Sequence, residues 1–358
     1  MLRKIFSKII KIRHKLDGSL GSWMLINSFV DDYKKYSLIK CITAHKHGFT
    51  VSDYEVIGIG RKNKERYITS LEYCKMHPIN KNYSSWIDDK LTLKYLCHGS
   101  LLDKYMPRYY FHINSDGKII SLVDYKGNNN SFESLVDLLK EKKELALKKV
   151  SGTVGEGFYK MEYINCKYYL NDLELRKEEL IDKIKNLKDY IVIEYFHPHE
   201  SFNNLCKKNT NTIRYLCAKS DEEYIMVKSF IRFGTRKTGQ VENYNRGGVL
   251  CYINSEGYYD CGNIIENNKN RIIYEHPDTS EKLKGKIPMW SEILTAVNEF
   301  CGHFPQLTYL GFDFVVTSDN RVIILEINSL TSLDTLQLDK SLLDTKAANF
   351  FRERMINK

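Results

Sequence analysis

The segment from Gly311 to Asn328 constrains the chain more than any other. Two apolar, β-rich runs, Gly311–Thr317 and Arg321–Ile327, flank Asp319-Asn320, both residues that tolerate positive φ, so the spacing predicts a hairpin with a two-residue loop. If Ser318 faces Arg321, opposed residues sum to 639, which sets Asp313 against Glu326 and puts Asn328 on the same side of the sheet. Two carboxylates opposed in an apolar hairpin repel each other and lose hydration, so they require a cation. No basic residue lies on that face of the hairpin. A distant Arg or Lys would serve. So would a metal, because Asp, Glu and Asn oxygens with room left for phosphates are the hard ligand set that Mg²⁺ takes.

A second pattern runs from Ala146 to Phe158, where Gly152, Gly155 and Gly157 lie between strand-like runs and Lys148 stands just ahead of them. Such a loop lets backbone N–H groups approach phosphate oxygens, and the lysine supplies a point charge. It is neither a P-loop, since no GK[ST] follows, nor a dinucleotide fingerprint, since Phe158–Met161 continues as a strand. A tight turn without ligand explains the glycines as well. Ile191–Phe196 reads as a buried strand ending in polar His197-Pro198-His199-Glu200, a hinge suited to gripping a base or a plain core strand and loop. Arg214 and Arg232 fall inside strand patterns, where an interior salt bridge is the ordinary explanation.

Charge and cysteine content narrow the function classes. Of the net +9, six positive charges and no acid lie in residues 1–16, leaving +3 for the other 342 residues, which argues against a broad nucleic-acid face. Leu2, Ile5, Phe6, Ile9, Ile12 and Leu16 recur at helical spacing between those cations. The segment predicts a basic amphipathic helix, either docked on its own domain or lying on an anionic membrane surface. It lacks a signal peptide's apolar core and cleavage site, so the expectation is a cytoplasmic protein able to work at the inner face of the membrane. Nine cysteines without a CxxC pair suggest neither a disulfide framework nor a zinc site, and Cys41, His45 and His47 lack a fourth ligand.

Periodicity predicts helices over Trp86–Leu96, Ser131–Glu144, Leu173–Leu187, Trp290–Cys301 and Thr345–Met355. Strands are expected at Tyr109–Ile113, Ile119–Val123, Leu145–Val150, Phe158–Ile164, Tyr190–Phe196, Thr212–Ala218, Tyr224–Phe233, Gly248–Ile253, Leu310–Thr317 and Arg321–Ile327. The pattern is α+β with mainly antiparallel sheets, preceded by a small, degenerate α/β region up to about Ser85.

Taken in order, Asp89-Lys90, Leu147-Lys148 with Ser151 to Gly157, His199 followed by Asn211-Thr212-Ile213-Arg214, Asn243 with Gly247-Gly248, His276-Pro277, Ile287 to Trp290, Gly311-Phe312-Asp313 and Glu326-Ile327-Asn328 resemble the ATP-grasp superfamily. The stretch from about Asp88 to Gln337 is similar to its sugar-transfer-associated branch, found with cell-surface polysaccharide assembly. Lys149 stands where that branch usually has proline, and Glu242 where it usually has aspartate.

The resemblance implies two α+β subdomains gripping ATP: a basic helix at 1–16, a preceding region at 17–87, a small subdomain at 88–189 and a large one at 190–358. It implies that Lys90 and Lys148 hold the α- and β-phosphates under the loop Ser151, Gly152, Gly155 and Gly157, with Glu194, Phe196 and His199 on the adenine side. Asp313, Glu326 and Asn328 would hold Mg²⁺, and Arg214 and Arg232, with Lys148, would act on the transferring phosphoryl group or the acceptor carboxylate. The implied reaction activates a carboxylate, a sugar acid or amino acid, as an acyl phosphate and joins it to an amine. A phosphotransferase acting on a hydroxyl, or a nucleotide-binding scaffold for a glycosyltransferase, are the alternatives on the same fold.

Overall fold

The structure is a computed structural model that describes residues 2–15, 20–151, 157–205, 211–238, 244 and 247–356. Its residues form two compact units, one of 1–84, 204–314 and 327–358, the other of 85–203 and 315–326.

The first unit opens with helices α1 (Leu2–His14), α2 (Leu20–Lys35), α3 (Leu38–Lys46), α4 (Val51–Ile57) and α5 (Ser70–Met76). The expected α/β character of this region is therefore wrong, since every regular element among its described residues is helical. Tyr54–Ile59, an apolar run by composition, starts the helical course instead because the Thr50 hydroxyl caps α4 by accepting from Asp53 N, and Gly58 ends it at φ 76°. Thr69 and Glu72 form a full capping box at α5.

The second unit begins at α6 (Ser84–Asp88) and α7 (Lys90–Cys97), separated because Asp89 turns out of the helix to cap α7 at Thr92 N. Strands β1 (Tyr109–Ile113) and β2 (Ile119–Ser121), α8 (Phe132–Lys142), β3 (Glu144–Lys149), β4 (Tyr159–Ile164), β5 (Lys167–Leu170), β6 (Leu173–Leu175), α9 (Lys177–Lys185) and β7 (Tyr190–Glu194) follow. They build a sheet in the order β2-β1-β7-β3-β4-β5-β6. Leu135, Leu139, Leu180 and Ile184 of α8 and α9 cover one face against Phe111, Leu147, Met161 and Val192. The helix expected from Leu173 starts late, at Lys177, because Asn171 and Asp172 take positive φ and fold 167–175 into a hairpin.

The chain then returns to the first unit, except for residues 315–326, which belong to the second. Strands β8 (Ile213–Ser220), β9 (Glu223–Phe233), β10 (Val249–Tyr252), β11 (Tyr258–Tyr259), β12 (Gly262–Glu266), β13 (Lys269–Ile273) and β14 (Gly285–Lys286) precede α10 (Trp290–His303), β15 (Tyr309–Val316), β16 (Val322–Asn328), α11 (Leu333–Gln337) and α12 (Ala348–Ile356). The main sheet runs β13-β12-β10-β9-β8-β15-β16, and β11 pairs with β14. Tyr73 and Met76 of α5 join Leu216, Phe230, Tyr309, Leu336 and Phe350 in one core. Gln337 ties the N-terminal helices in further: its Oε1 accepts from Ile68 N at 3.2 Å and its Nε2 donates to Ile68 O at 2.9 Å.

Candidate active site

In the first unit the chemistry gathers on three adjacent strands. Arg214 on β8 stands directly opposite Asp313 on β15. Its guanidinium forks onto that carboxylate, Nε to Oδ1 at 2.6 Å and Nη2 to Oδ2 at 2.8 Å, while Nη1 donates to Thr331 Oγ1 at 3.1 Å. Arg232 on β9 adds a second cation, with Nη2 donating to Asp313 Oδ1 at 3.0 Å and to Thr212 Oγ1 at 2.5 Å. Asp313 is 2% exposed, so this carboxylate lies in the interior between two guanidinium groups. The cation that an interior carboxylate requires thus comes from neighbouring strands, where the sequence shows arginines at otherwise apolar positions.

Asn328 donates through Nδ2 to Gly311 O at 3.5 Å, which leaves its carboxamide oxygen as the atom suited to a cation. Gly311 is required by space. A Cβ there would meet Thr331 Oγ1 at 2.5 Å and Asn328 O at 3.3 Å. Gly311→Ala is expected to lower stability by about 1–3 kcal/mol through overpacking, read as a fall in the urea midpoint at unchanged slope. A midpoint equal to that of the wild type would mean the Thr331 loop gives way freely.

In the second unit, Lys90 is 6% exposed and its Nζ lies 3.2 Å from Glu326 Oε2, so a lysine assigned to phosphate and a carboxylate assigned to metal already neutralise one another. Lys94, one turn on and 1% exposed, bonds Asp103 and Asp124, each at 2.9 Å, and thereby fixes α7 and the direction of Lys90. Burial raises the Asp103 carboxyl, but the hydrogen bond and charge of Lys94 outweigh it and hold the group below its ordinary value. Sequence reasoning missed Lys94, although its i, i+4 spacing from Lys90 is a readable signal. Lys148 is half-buried on β3 opposite Ile191. Ser151 is exposed, Gly152 and Gly155 lie outside the described residues, and Gly157 has φ 74° with the Tyr190 hydroxyl occupying the space of a Cβ.

The hinge residues have partners of their own. Glu194 accepts from Arg108 N at 2.9 Å and from Arg321 Nη2 at 3.1 Å. Phe196 packs with Val315, Ile323 and Leu325, and the Arg321 guanidinium lies 5.8 Å from its ring centre. His199 Nδ1 accepts from Ser201 N at 3.2 Å, which makes Nε2–H the donor to Asn320 Oδ1 at 3.1 Å. A further charged group escaped the sequence reading: Glu144 bonds His197 at 2.5 Å and Lys160 at 2.6 Å, and Lys160 also reaches Glu162 at 2.7 Å. Burial raises the Glu144 carboxyl, yet the Lys160 and His197 hydrogen bonds bring it below its ordinary value.

The hairpin loop differs from the two-residue expectation. Thr317 N donates to Arg321 O and Asn320 N to Thr317 O, both at 3.0 Å, with Asn320 at φ 58°. Ser318–Asn320 is therefore a three-residue loop ending in a left-handed residue. It forms because Asp319 takes both the Thr317 hydroxyl, at 2.5 Å, and Arg321 Nε, at 2.8 Å. The sum of opposed residues at the loop is 638, so the loop does not by itself set Asp313 against Glu326. Cys41, His45 and His47 form no metal cluster: Cys41 is buried, and His45 bonds Asp32 at 2.9 Å. Among the described residues no group of three His, Cys, Asp or Glu is arranged to hold a metal, and no helix is long and apolar enough to cross a membrane.

No curated protein matches the chain in sequence. Solved structures with a similar fold include D-alanyl-alanine synthetase A from Vibrio cholerae (10% identity, 76% of this chain and 65% of that one, TM-score 0.45). The ATP-grasp ligase PsnB complexed with minimal precursor is another (11% identity, 78% and 64%, TM-score 0.41). A third is N5-carboxyaminoimidazole synthetase from Staphylococcus aureus complexed with ADP (8% identity, 70% and 47%, TM-score 0.39). The chain spans less than two thirds of the length of each of these proteins. The sequence model of sugar-transfer associated ATP-grasp proteins matches residues 71–350, which hold Lys90, Arg214, Asp313 and Glu326 alike, and the chain belongs to that family.

Proposed function

We propose that this protein is an ATP- and Mg²⁺-dependent ligase that activates a carboxylate as an acyl phosphate and joins it to an amine during cell-surface polysaccharide assembly. The observation that carries this reading is the buried Asp313 carboxylate held by Arg214 and Arg232 in a chain of the sugar-transfer associated ATP-grasp family. Carboxylate activation builds negative charge on the transferring phosphoryl group and on the acyl phosphate, and fixed cations lower that barrier.

The roles divide by what each side chain has left to offer. Arg214 directs Nε and Nη2 to Asp313 and Nη1 to Thr331, so it is a positioning residue for the carboxylate. Arg232 bonds through Nε and Nη2, so its Nη1 is assigned to the acceptor carboxylate or the phosphoryl group. Lys90 and Lys148 are assigned to the phosphates, Ser151 and the glycines to the cover above them, and Glu194, Phe196 and His199 to the adenine side. The donor set of Asp313, Glu326 and Asn328 fits a hard cation: two carboxylates and a carboxamide oxygen, each carboxylate already neutralised by basic side chains that a divalent ion would replace or supplement. Bound there, Mg²⁺ would supply charge neutralisation to the nucleotide phosphates.

The carboxylate substrate proposed is a sugar acid, nucleotide- or lipid-linked, or an amino acid. Residues 1–16 would keep the enzyme at the inner face of the membrane. The test is ADP release across a panel of sugar acids and amino acids, with ¹⁸O in the acceptor carboxylate. Label must appear in the released phosphate. ADP release without label in phosphate points to a hydroxyl acceptor and overturns the ligase reading. Asp313→Ala and Glu326→Ala are each expected to abolish turnover, and wild-type rates in either overturn the metal assignment.

A further inference from the structure

We infer that helices α1 to α3 together form a docking platform for an anionic lipid bilayer, extending the contact proposed for residues 1–16 to a folded surface. Residues 1–47 hold ten Lys and Arg against three Asp, a net +7 out of the chain's +9. The same stretch carries eight exposed large hydrophobic side chains: Ile9 and Ile12 on α1, Trp23, Met24 and Tyr33 on α2, and Leu38, Ile39 and Ile42 on α3. The remaining 311 residues carry a net +2. This region precedes the stretch matched by the family, so the catalytic fold does not account for it.

The three helices are a built unit. Ile10 is buried with Leu25, Ile26, Phe29 and Val30, which docks α1 on α2. His45 of α3 stacks on Phe29 with ring centres 4.0 Å apart and bonds Asp32 at 2.9 Å, which docks α3 on α2. Ile10, outside the stripe expected for α1, does the docking, and Ile9 and Ile12 stay 53% and 72% exposed. The helix is thus both docked and apolar toward water. On α3, Leu38 and Ile39 are 63% and 78% exposed, and Ile42 lies one turn further on. Lys8, Lys11, Arg13, Lys35 and Lys46, on the same three helices, are exposed as well.

Exposed aliphatic side chains interleaved with lysines fit a bilayer interface, where the apolar groups enter the acyl boundary and the cations meet anionic headgroups. An acidic protein surface would satisfy the charges but leave aliphatic side chains such as Ile12 and Ile39 in water. Neither requirement involves the chemistry of the active site.

The test is sedimentation of the full chain with phosphatidylcholine vesicles, with and without about 30% phosphatidylserine. The wild type should bind only the anionic vesicles, and binding should weaken as salt rises from about 0.1 to about 1 M. Leu38→Ser/Ile39→Ser/Ile42→Ser leaves residues 1–16 intact and should bind about tenfold more weakly. Lys11→Glu/Arg13→Glu should do the same, and serves as the readout if the α3 variant melts below the wild type. Absence of wild-type binding, or wild-type binding by a folded α3 variant, overturns the platform. So does self-association in sedimentation velocity that the α3 variant abolishes without any effect of vesicles, since a second copy would then be the occupant. The readout requires no turnover, so failure of the platform and failure of the ligase reading are separable.

Discussion

Arg214→Ala is expected to destabilise the first unit by about 3 kcal/mol, at the low end of what breaking a buried ion pair costs. The variant removes the Arg214 donors from Oδ1, Oδ2 and Thr331 Oγ1 while Arg232 stays on Oδ1, so a buried carboxylate loses its bidentate partner. Arg214→Lys restores the charge without the planar fork and should recover less than half of the loss. Asp313→Ala leaves two guanidinium groups facing each other's charge, so it should cost a similar amount. Because both single variants lose one interaction, the double variant Arg214→Ala/Asp313→Ala should cost clearly less than the two summed. Urea unfolding followed by tryptophan fluorescence, to which Trp290 contributes from its packing on Tyr215 of β8 at 5.9 Å, reads this loss. A loss below about 1 kcal/mol for Arg214→Ala would mean that water reaches the pair and screens it as at a surface.

That interaction also marks how far sequence carries. The antiparallel strands were legible because apolar runs bounded by turn residues have few other fates, and β1, β3, β4, β8, β9, β15 and β16 lie within a residue or two of expectation. The need for a cation at Asp313 was legible from desolvation alone. Its source was not, because Arg214 and Arg232 are 99 and 81 residues away and only the strand order β9-β8-β15 brings them together. The α/β expectation for the first 84 residues failed for the opposite reason. Short apolar runs such as Val56-Ile57 do not by themselves distinguish strand from helix, and here the caps at Thr50 and Thr69 decide. Likewise, one residue in the hairpin loop was settled by Asp319, whose contacts with Thr317 and Arg321 favour a three-residue loop that alternation cannot register. The hinge was legible as a strand, but the partners that occupy Glu194 and His199 come from the tip of the hairpin and are tertiary facts.

Asp334→Asn is expected to stabilise the protein by about 2–4 kcal/mol at pH 8 and to have almost no effect at pH 4. Asp334 sits in the first turn of α11, 6% exposed, and burial followed by the charge of Asp53 on α4 pushes its carboxyl up to about 7. An unfolded aspartate titrates near 3.9, so across the window from about 4 to about 7 the folded chain keeps a proton that the unfolded chain releases. Stability contributed by this site therefore falls as pH rises through that window, and the penalty is complete above it. Asparagine keeps the oxygen that accepts from Thr335 N at 2.6 Å and removes the ionisation. The measurement is the difference in unfolding free energy between variant and wild type at several pH values, which cancels the titrating groups that do not feel the charge of Asp334. A difference that stays flat from pH 4 to pH 8 would mean that Asp334 ionises in the folded chain as freely as in water. A difference that grows with pH would show that α4 and α11 approach through a protonated carboxyl, and that contact steadies the segment carrying Thr331 only a few residues before α11.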